Sequence, residues 1–155
     1  MNVVEGRPHF LHQIFAEYFT ASWFSKNFVP NRTVLEVVLF APASGIIRKV
    51  FDRILAKGRR LCSAVLNCDA EAVETLLQEG SDVNAVDRGG RTALHLTAAQ
   101  GPGDRLWKDI TNSLLRCGAT VDTKDTVLDW TPLQYATKSG NDFVEQELIL
   151  VMQVK

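Results

Sequence analysis

The hydrophobic pattern in the first third of the chain predicts three helices. Large apolar residues between Phe10 and Phe28 recur at positions i, i+4, i+7 and i+8, which is the period of one helix face. A second helix is predicted for residues 34–40 and a third for residues 45–55, where apolar positions again share one face. We expect Thr33 to cap the second helix, because a glutamate follows three residues later and an apolar run comes next. Together these helices can bury much of one another's apolar surface.

From about residue 60 onward the chain repeats itself. The run LLQEGSDVN at residues 76–84 returns as LLRCGATVD at residues 114–122, an offset of 38. The phrase TALH at residues 92–95 returns as TPLQ at residues 131–134, an offset of 39. Self-similarity of this kind marks proteins built from stacked units, in which a single unit cannot bury its own apolar face.

Each repeated phrase has a physical role at a helix end. Thr131 is expected to cap a helix, Pro132 to occupy its first turn without losing a hydrogen bond, and Gln134 to complete a capping box. The glycine after each leucine pair can adopt the left-handed conformation that ends a helix. The run DRGG at residues 87–90 predicts a tight turn.

A unit of turn, short helix, second helix, glycine stop and extended return resembles the ankyrin repeat, whose signature is T-P-L-H-x-A with a period of about 33. Three units can be traced, at about residues 60–87, 88–125 and 126–150. The resemblance implies an all-α fold in which a helical connector, residues 1–58, leads into a short ankyrin-repeat solenoid, residues 59–155.

The units depart from the ankyrin pattern in three places. The first unit has LCSA at residues 61–64 in place of the signature, and the third has LDW at residues 128–130 where the turn glycine is expected. The second unit is longer, and its extra residues are expected in a loop around residues 101–104, with Asp104 capping the next helix. Trp107 either packs this loop down or contacts a partner, and packing is the favoured interpretation.

The aromatic helix carries a second resemblance. Its pattern F-x-H-x-x-F-x-E-Y-F-x-A, residues 10–21, is similar to a segment in the helical region that follows the nucleotide-binding core of NACHT-type signalling NTPases. In invertebrate members of that family an ankyrin array often comes next. The resemblance covers about residues 8–55 and implies that this chain is the tail or a truncated form of such a protein. ATP binding is not implied, because the sequence has no G-x-x-x-x-G-K-[ST] loop.

Composition and charge add a second hypothesis. With 17 basic and 18 acidic residues the net charge is −1, so no general attraction to nucleic acid or to anionic membranes follows. Locally, however, six basic residues cluster at positions 48–60, and residues 61–87 then carry six acids and no base. The basic block is either a solvated surface or a docking patch for an acidic partner or a phosphate backbone. A nucleic-acid-binding adaptor is therefore the alternative function, although nucleic acid is not the expected partner.

The sequence offers no chemistry for catalysis. The three cysteines form no C-x-x-C pair, His9 and His12 have no further ligands nearby, and no catalytic motif is present, so we expect no enzyme activity, metal or cofactor. No signal peptide or membrane helix is predicted, and we expect a cytoplasmic protein. By resemblance, His95 hydrogen-bonds to the backbone of neighbouring turns and holds the stack together.

The predicted function is a non-catalytic scaffold for protein interaction. By resemblance, ankyrin modules contact partners with their hairpin tips and the concave face of their first helices. The residues at those positions here are Arg88, Gly89, Arg91, Ala99, Gln100, Trp130, Lys138 and Ser139. Self-association through the aromatic segment from Phe10 to Phe28 is a further possibility.

Overall fold

A computed structural model of the chain describes residues 2–42, 45–101 and 105–154, with side chains from residue 13 onward. The chain divides into two compact units, Met1–Ile54 and Leu55–Lys155. Within the described residues the only β-type pairing is one isolated bridge between Val86 and Thr92, and the rest of the regular structure is helical. The prediction of an all-α fold is therefore confirmed.

The three helices predicted for the first third of the chain are confirmed. Helix α1 is Asn2–Asn27, α2 is Arg32–Phe40 and α3 is Gly45–Leu55, and a 3-10 turn, Val29–Asn31, precedes α2. Ala21 and Phe24 of α1 are buried, as are Leu35 and Leu39 of α2.

The opposite face of α1 remains exposed. Phe15 is 57% exposed and Phe19 is 66% exposed, and Tyr18 and Trp23 are about half exposed. The prediction that these helices cover one another's apolar surface is therefore wrong for the aromatic face of α1. The reason is geometric, since Ala21 and Phe24 lie along one side of the helix and the four exposed aromatic residues lie along the other.

The prediction that Thr33 caps α2 is also wrong. The helix begins at Arg32, directly after the 3-10 turn, and Thr33 lies inside its first turn. The N-cap residue is Asn31, whose side chain makes no capping hydrogen bond and instead donates to the carbonyl of Asn27 at 2.7 Å. The turn brings the backbone into helical geometry before the threonine is reached.

The described residues of the second unit form three helix pairs. They are α4 Arg60–Leu66 with α5 Ala70–Gln78, α6 Ala93–Ala98 with α7 Arg105–Arg116, and α8 Pro132–Ser139 with α9 Asp142–Val154. The first helices α4, α6 and α8 contact their neighbours in that order, and so do the second helices α5, α7 and α9. The pairs therefore stack as two layers.

Neighbouring first helices run parallel. At the start of α6, the His95 ring hydrogen-bonds to the carbonyl of Trp130, two residues before α8. At the end of α6, the carbonyl of Ala98 accepts a hydrogen bond from Ser139, the last residue of α8. Because the N-terminal ends of α6 and α8 are joined to each other, and so are their C-terminal ends, the two helices lie side by side and parallel.

Helix ends follow the sequence signals. Thr131 accepts a hydrogen bond from the amide of Gln134, and the Gln134 side chain accepts one from the amide of Thr131, so the predicted capping box is confirmed. Gly80 and Gly118 have φ angles of +85° and +84°, which confirms the left-handed stops.

Asp104 and most of the predicted loop lie outside the described residues. Trp107 is half-buried against the apolar core of the second unit, and its packing against the loop stays a prediction.

The change of repeat offset from 38 to 39 is located in the turns. In the second repeat the turn is closed by a hydrogen bond from the amide of Asp87 to the carbonyl of Arg91, four residues on. In the third, the same bond runs from Asp125 to Trp130, five residues on. The third turn therefore holds one extra residue. Its Asp129 has a φ of +61°, close to the +70° of Gly90 in the second turn, so aspartate takes the left-handed position where glycine was expected.

Candidate interaction surface

One edge of the second unit is formed by the segments that precede its first helices. We call it the hairpin edge, residues 55–60, 82–91 and 120–130. The amide of Arg88 donates to the carbonyl of Leu55 at 3.1 Å, and the amide of Thr126 donates to the carbonyl of Gly89 at 2.8 Å. These bonds join the three segments, one per repeat, into a continuous row.

A buried ion pair fixes the turn of the second repeat. One oxygen of Asp87 accepts from the amides of Gly89 and Arg91, at 2.8 and 3.0 Å, and the other accepts from Arg91 Nε at 2.9 Å. The side chains of Asp87 and Arg91 are 0% and 2% exposed. A carboxylate whose acceptor sites are occupied by donors on its own turn holds that turn in one conformation.

The third repeat uses the same carboxylate position with a different partner. Asp125 accepts from the amide of Trp130 at 2.8 Å, and its second oxygen accepts from the hydroxyl of Tyr135. The Tyr135 ring lies edge-on to Trp130 on one side and to His95 on the other, at 5.4 and 5.7 Å between centroids. This cluster fixes Trp130 at the turn.

His95 links the second repeat to the third, as predicted. Its Nδ1 accepts from the amide of Thr92 at 3.1 Å, which requires an unprotonated Nδ1. The proton of the neutral ring is then on Nε2, which donates to the carbonyl of Trp130 at 3.1 Å. Burial of the ring lowers the pKa of His95 below its ordinary value of 6.5, although the nearby Asp125 carboxylate raises it in part.

Two asparagines that sequence reasoning missed also join neighbouring repeats. Asn84 accepts from the amide of Thr120 at 2.7 Å, and the buried Asn141 donates to the carbonyl of Thr97 at 3.2 Å while capping α9. Asn141 stands between a glycine stop and the next helix, where a capping residue is expected. Nothing in the sequence pattern indicates its second bond, to the preceding repeat.

The sequence-predicted partner-binding residues differ in accessibility. Arg88 and Lys138 are exposed, and Gln100, Trp130 and Ser139 are half-buried. Arg91 and Ala99 are buried, so their side chains are not available to a partner, and the backbone of Gly89 is buried as well. A Cβ atom on Gly89 would overlap Val127, Arg91 is turned inward by Asp87, and Ala99 ends a helix packed between α4 and α8. For the five accessible residues, partner binding stays a prediction.

The remaining chemistry of the described residues is sparse. Cys62, Cys68 and Cys117 are free thiols, and burial raises the pKa of Cys62 to about 11, which disfavours its reactive thiolate form at neutral pH. No group of three histidine, cysteine, aspartate or glutamate side chains in the part of the chain that the structure describes could hold a metal ion. None of the described helices combines the length and apolar character needed to span a membrane.

Comparison with known proteins agrees with this architecture. A family model for ankyrin repeats, in three copies, matches residues 61–151. The potassium channel AKT1 of Oryza sativa, in subspecies indica and japonica, is 33% identical over 88 residues, which are 57% of this chain. The nuclear factor NF-kappa-B p105 subunit of Gallus gallus is 53% identical over 38 residues, which are 24% of this chain. The matched segments span only 9% of the channel and 4% of the p105 subunit.

Proposed function

Because this chain belongs to the ankyrin-repeat family, whose repeats are protein–protein interaction modules, we propose that it binds a protein partner through the hairpin edge and the exposed face of α8. The accessible members of the predicted set are the contact residues: Arg88, Gln100, Trp130, Lys138 and Ser139. The role of the module is binding and not catalysis.

One observation carries this proposal. The turns are held from inside by buried groups, Asp87 with Arg91 and Asp125 with Tyr135, while Arg88 stays exposed on the surface of the same turn. A side chain presented by a rigid turn loses little conformational entropy on binding, which favours recognition.

The experiment is partner capture with matched charge reversals. Full-length chain carrying Arg88→Glu and Lys138→Glu is compared with wild type and with a control carrying Arg105→Glu and Lys108→Glu on α7. We expect proteins that wild type and control retain to be lost from the first variant, measured by quantitative mass spectrometry. Equal capture by all three proteins, with equal melting temperatures, would reject this surface.

We also propose that residues 1–58 correspond to the helical region after the nucleotide-binding core of NACHT-type signalling NTPases. Support comes from the aromatic motif at residues 10–21 and from the helical structure of α1, α2 and α3. On this proposal the repeats, at about residues 60–87, 88–125 and 126–150, are the recognition end of a signalling protein. Sequencing the transcript upstream of Met1 tests it: an in-frame phosphate-binding loop is expected, and an unrelated upstream sequence would contradict it.

A cytoplasmic location is part of the same proposal. The three free thiols, one of them exposed at Cys117, suit a reducing compartment. Microscopy of the tagged full-length chain is expected to show diffuse cytoplasmic signal, and secretion of the chain would contradict it.

The exposed face of α1 supports self-association with a second copy. Ile14, Phe15, Tyr18, Phe19 and Trp23 are 38–66% exposed, which corresponds to about 500 Å² of apolar surface per chain. Two such faces together reach about 1,000 Å², the least area that a biological interface is expected to bury, which favours a weak dimer. Light scattering over a range of concentrations is expected to show a dimer that Phe15→Glu with Phe19→Glu abolishes. The control Val37→Glu changes another exposed apolar residue, on α2, and a monomeric wild type would contradict the proposal.

A further inference from the structure

The charges of the second unit are segregated between its two layers. Among the residues that the structure describes, the second helices and their flanking positions carry eight acidic and three basic side chains, a net charge of −5, all exposed or half-buried. The acidic residues are Asp69, Glu71, Glu74, Glu79, Asp109, Asp142, Glu145 and Glu147, and the basic residues are Arg105, Lys108 and Arg116.

The hairpin edge with α8 has the opposite charge. Its exposed side chains are six basic and three acidic, a net charge of +3. The basic residues are Lys57, Arg59, Arg60, Arg88, Lys124 and Lys138, and the acidic residues are Asp82, Asp122 and Asp129. Two of the basic residues form exposed ion pairs, Lys124 with Asp129 at 3.8 Å and Arg60 with Glu79 at 3.9 Å.

These basic residues lie along a continuous row. The first segment, with Gly58 and Arg59, lines a shallow groove together with Asp82 and Ala85 of the next segment. The second segment is joined to the third by the bond between Gly89 and Thr126. An extended peptide that follows the edge would therefore meet positive charge in each of the three repeats.

We infer that the hairpin edge binds an acidic, extended segment of the protein partner. This inference rests on the proposed function and adds the chemical class of the partner. Opposite charge steers the segment to this edge and away from the acidic second helices, which would repel it. The rigid turns fix the spacing of the charges before binding.

Nucleic acid fits this surface less well than a peptide does. Three carboxylates, Asp82, Asp122 and Asp129, lie among the basic side chains of the second and third segments, and the chain as a whole has a net charge of −1. A dense row of phosphates would therefore meet repulsion in both of those segments. The one aromatic ring at the turns, Trp130, is half-buried and packed edge-on against Tyr135, and the hairpin edge holds no second aromatic ring on which successive bases could stack.

The test is binding of labelled probes to the full-length chain by fluorescence anisotropy. Three peptides of about 12 residues, about 40 Å when extended, share the same apolar residues and carry glutamate, lysine or serine at the other positions. A single-stranded DNA of matching length is the fourth probe. We expect only the glutamate peptide to bind, and its affinity to fall as NaCl rises from about 50 to about 300 mM.

Matched variants locate the binding. Arg88→Glu is expected to lower the affinity for the glutamate peptide about fivefold, since it replaces an attraction by a repulsion. Arg105→Glu makes the same change of net charge on the second-helix layer and is expected to leave the affinity unchanged. Asp122→Lys is expected to strengthen binding, because it removes a negative charge from the edge.

Three results would overturn the inference: no binding of the glutamate peptide, equal weakening by Arg88→Glu and Arg105→Glu, or tighter binding of the DNA. The capture experiment separates this failure from failure of the proposed function. If Arg88→Glu with Lys138→Glu still loses its protein partners while the glutamate peptide does not bind, the edge is a protein-binding surface for another class of partner. If the double variant captures the same proteins as wild type, the proposal that this surface binds a protein partner is wrong.

Discussion

The turns of the second and third repeats place an aspartate at the same position and hold it with different partners. Asp87 is bound by the arginine at the end of its own turn, whereas Asp125 is bound by a tyrosine in the following helix. In both turns the carboxylate accepts backbone amides, and this part of the arrangement is what the repeat preserves. The comparison teaches that a buried carboxylate can keep binding the backbone amides of its own turn even when its side-chain partner changes and the turn gains a residue.

The largest effect is expected from breaking the buried pair of the second turn. Arg91→Ala leaves Asp87 buried without its ionic partner, so we expect the free energy of unfolding to fall by about 3–5 kcal/mol in urea denaturation. Arg88→Ala, an exposed neighbour on the same turn, is the control and should cost less than about 0.5 kcal/mol. A similar small effect for both variants would contradict the assigned role of Arg91.

A smaller effect is expected in the third turn. Tyr135→Phe removes one hydrogen bond to Asp125 and keeps the ring that packs between His95 and Trp130, so the loss should be about 1.5–3 kcal/mol. The Asp125 carboxylate retains its backbone donors, which is why the loss is smaller than for Arg91→Ala. Urea denaturation of the two variants side by side measures the difference, and equal losses would contradict it.

His95, which joins the second repeat to the third, should make the stability of the protein depend on pH. The pKa of His95 is lowered in the folded chain, so below about pH 6.5 the unfolded chain takes up a proton that the folded chain does not. Stability should therefore fall as the pH drops from about 6.5 toward the folded pKa, and His95 should have no effect above that range.

His95→Gln isolates this contribution, because Gln134 has the same capping role in the third repeat. The variant should lose the part of the pH dependence that belongs to His95, measured as the urea midpoint between about pH 5.5 and about pH 7.5. Identical pH profiles for wild type and variant would show that His95 does not titrate in this range.

The smallest effect concerns the left-handed positions of the two turns. Asp129→Gly should stabilise the protein by about 0.5–1 kcal/mol, because glycine adopts a positive φ without strain and the exposed pair with Lys124 contributes little. Gly90→Ala should destabilise it, since the added Cβ meets Thr126 Oγ1 at 2.6 Å and the φ is +70°. Melting temperatures check both signs, and a destabilised Asp129→Gly would mean that its side chain matters more than its backbone.

Much of the fold could be predicted from the sequence because its signals are local. Threonine at Thr131, proline in the next position and glycine at Gly118 each act within one helix turn, and the repeat then sets which helices are neighbours. The N-terminal aromatic helix is predicted by its apolar period for the same reason. That period does not indicate which of its apolar residues stay exposed.

Accessibility of the site could not be predicted in the same way, because it depends on contacts across the fold. Arg91 occupies a turn position typical of surface residues, but its buried ion pair with Asp87 holds its side chain inside. Ala99 is covered because helices lie on both sides of α6. The link from Asn141 to Thr97 joins residues 44 positions apart, which no local pattern indicates.

All six residues of α6 are buried, because this helix lies between α4 and α8 and against α7. Its short length and complete enclosure leave it unable to persist once a neighbour has detached. Unfolding of either flanking helix pair should therefore also unfold the middle pair, α6 with α7. The three repeats are expected to unfold in one cooperative step.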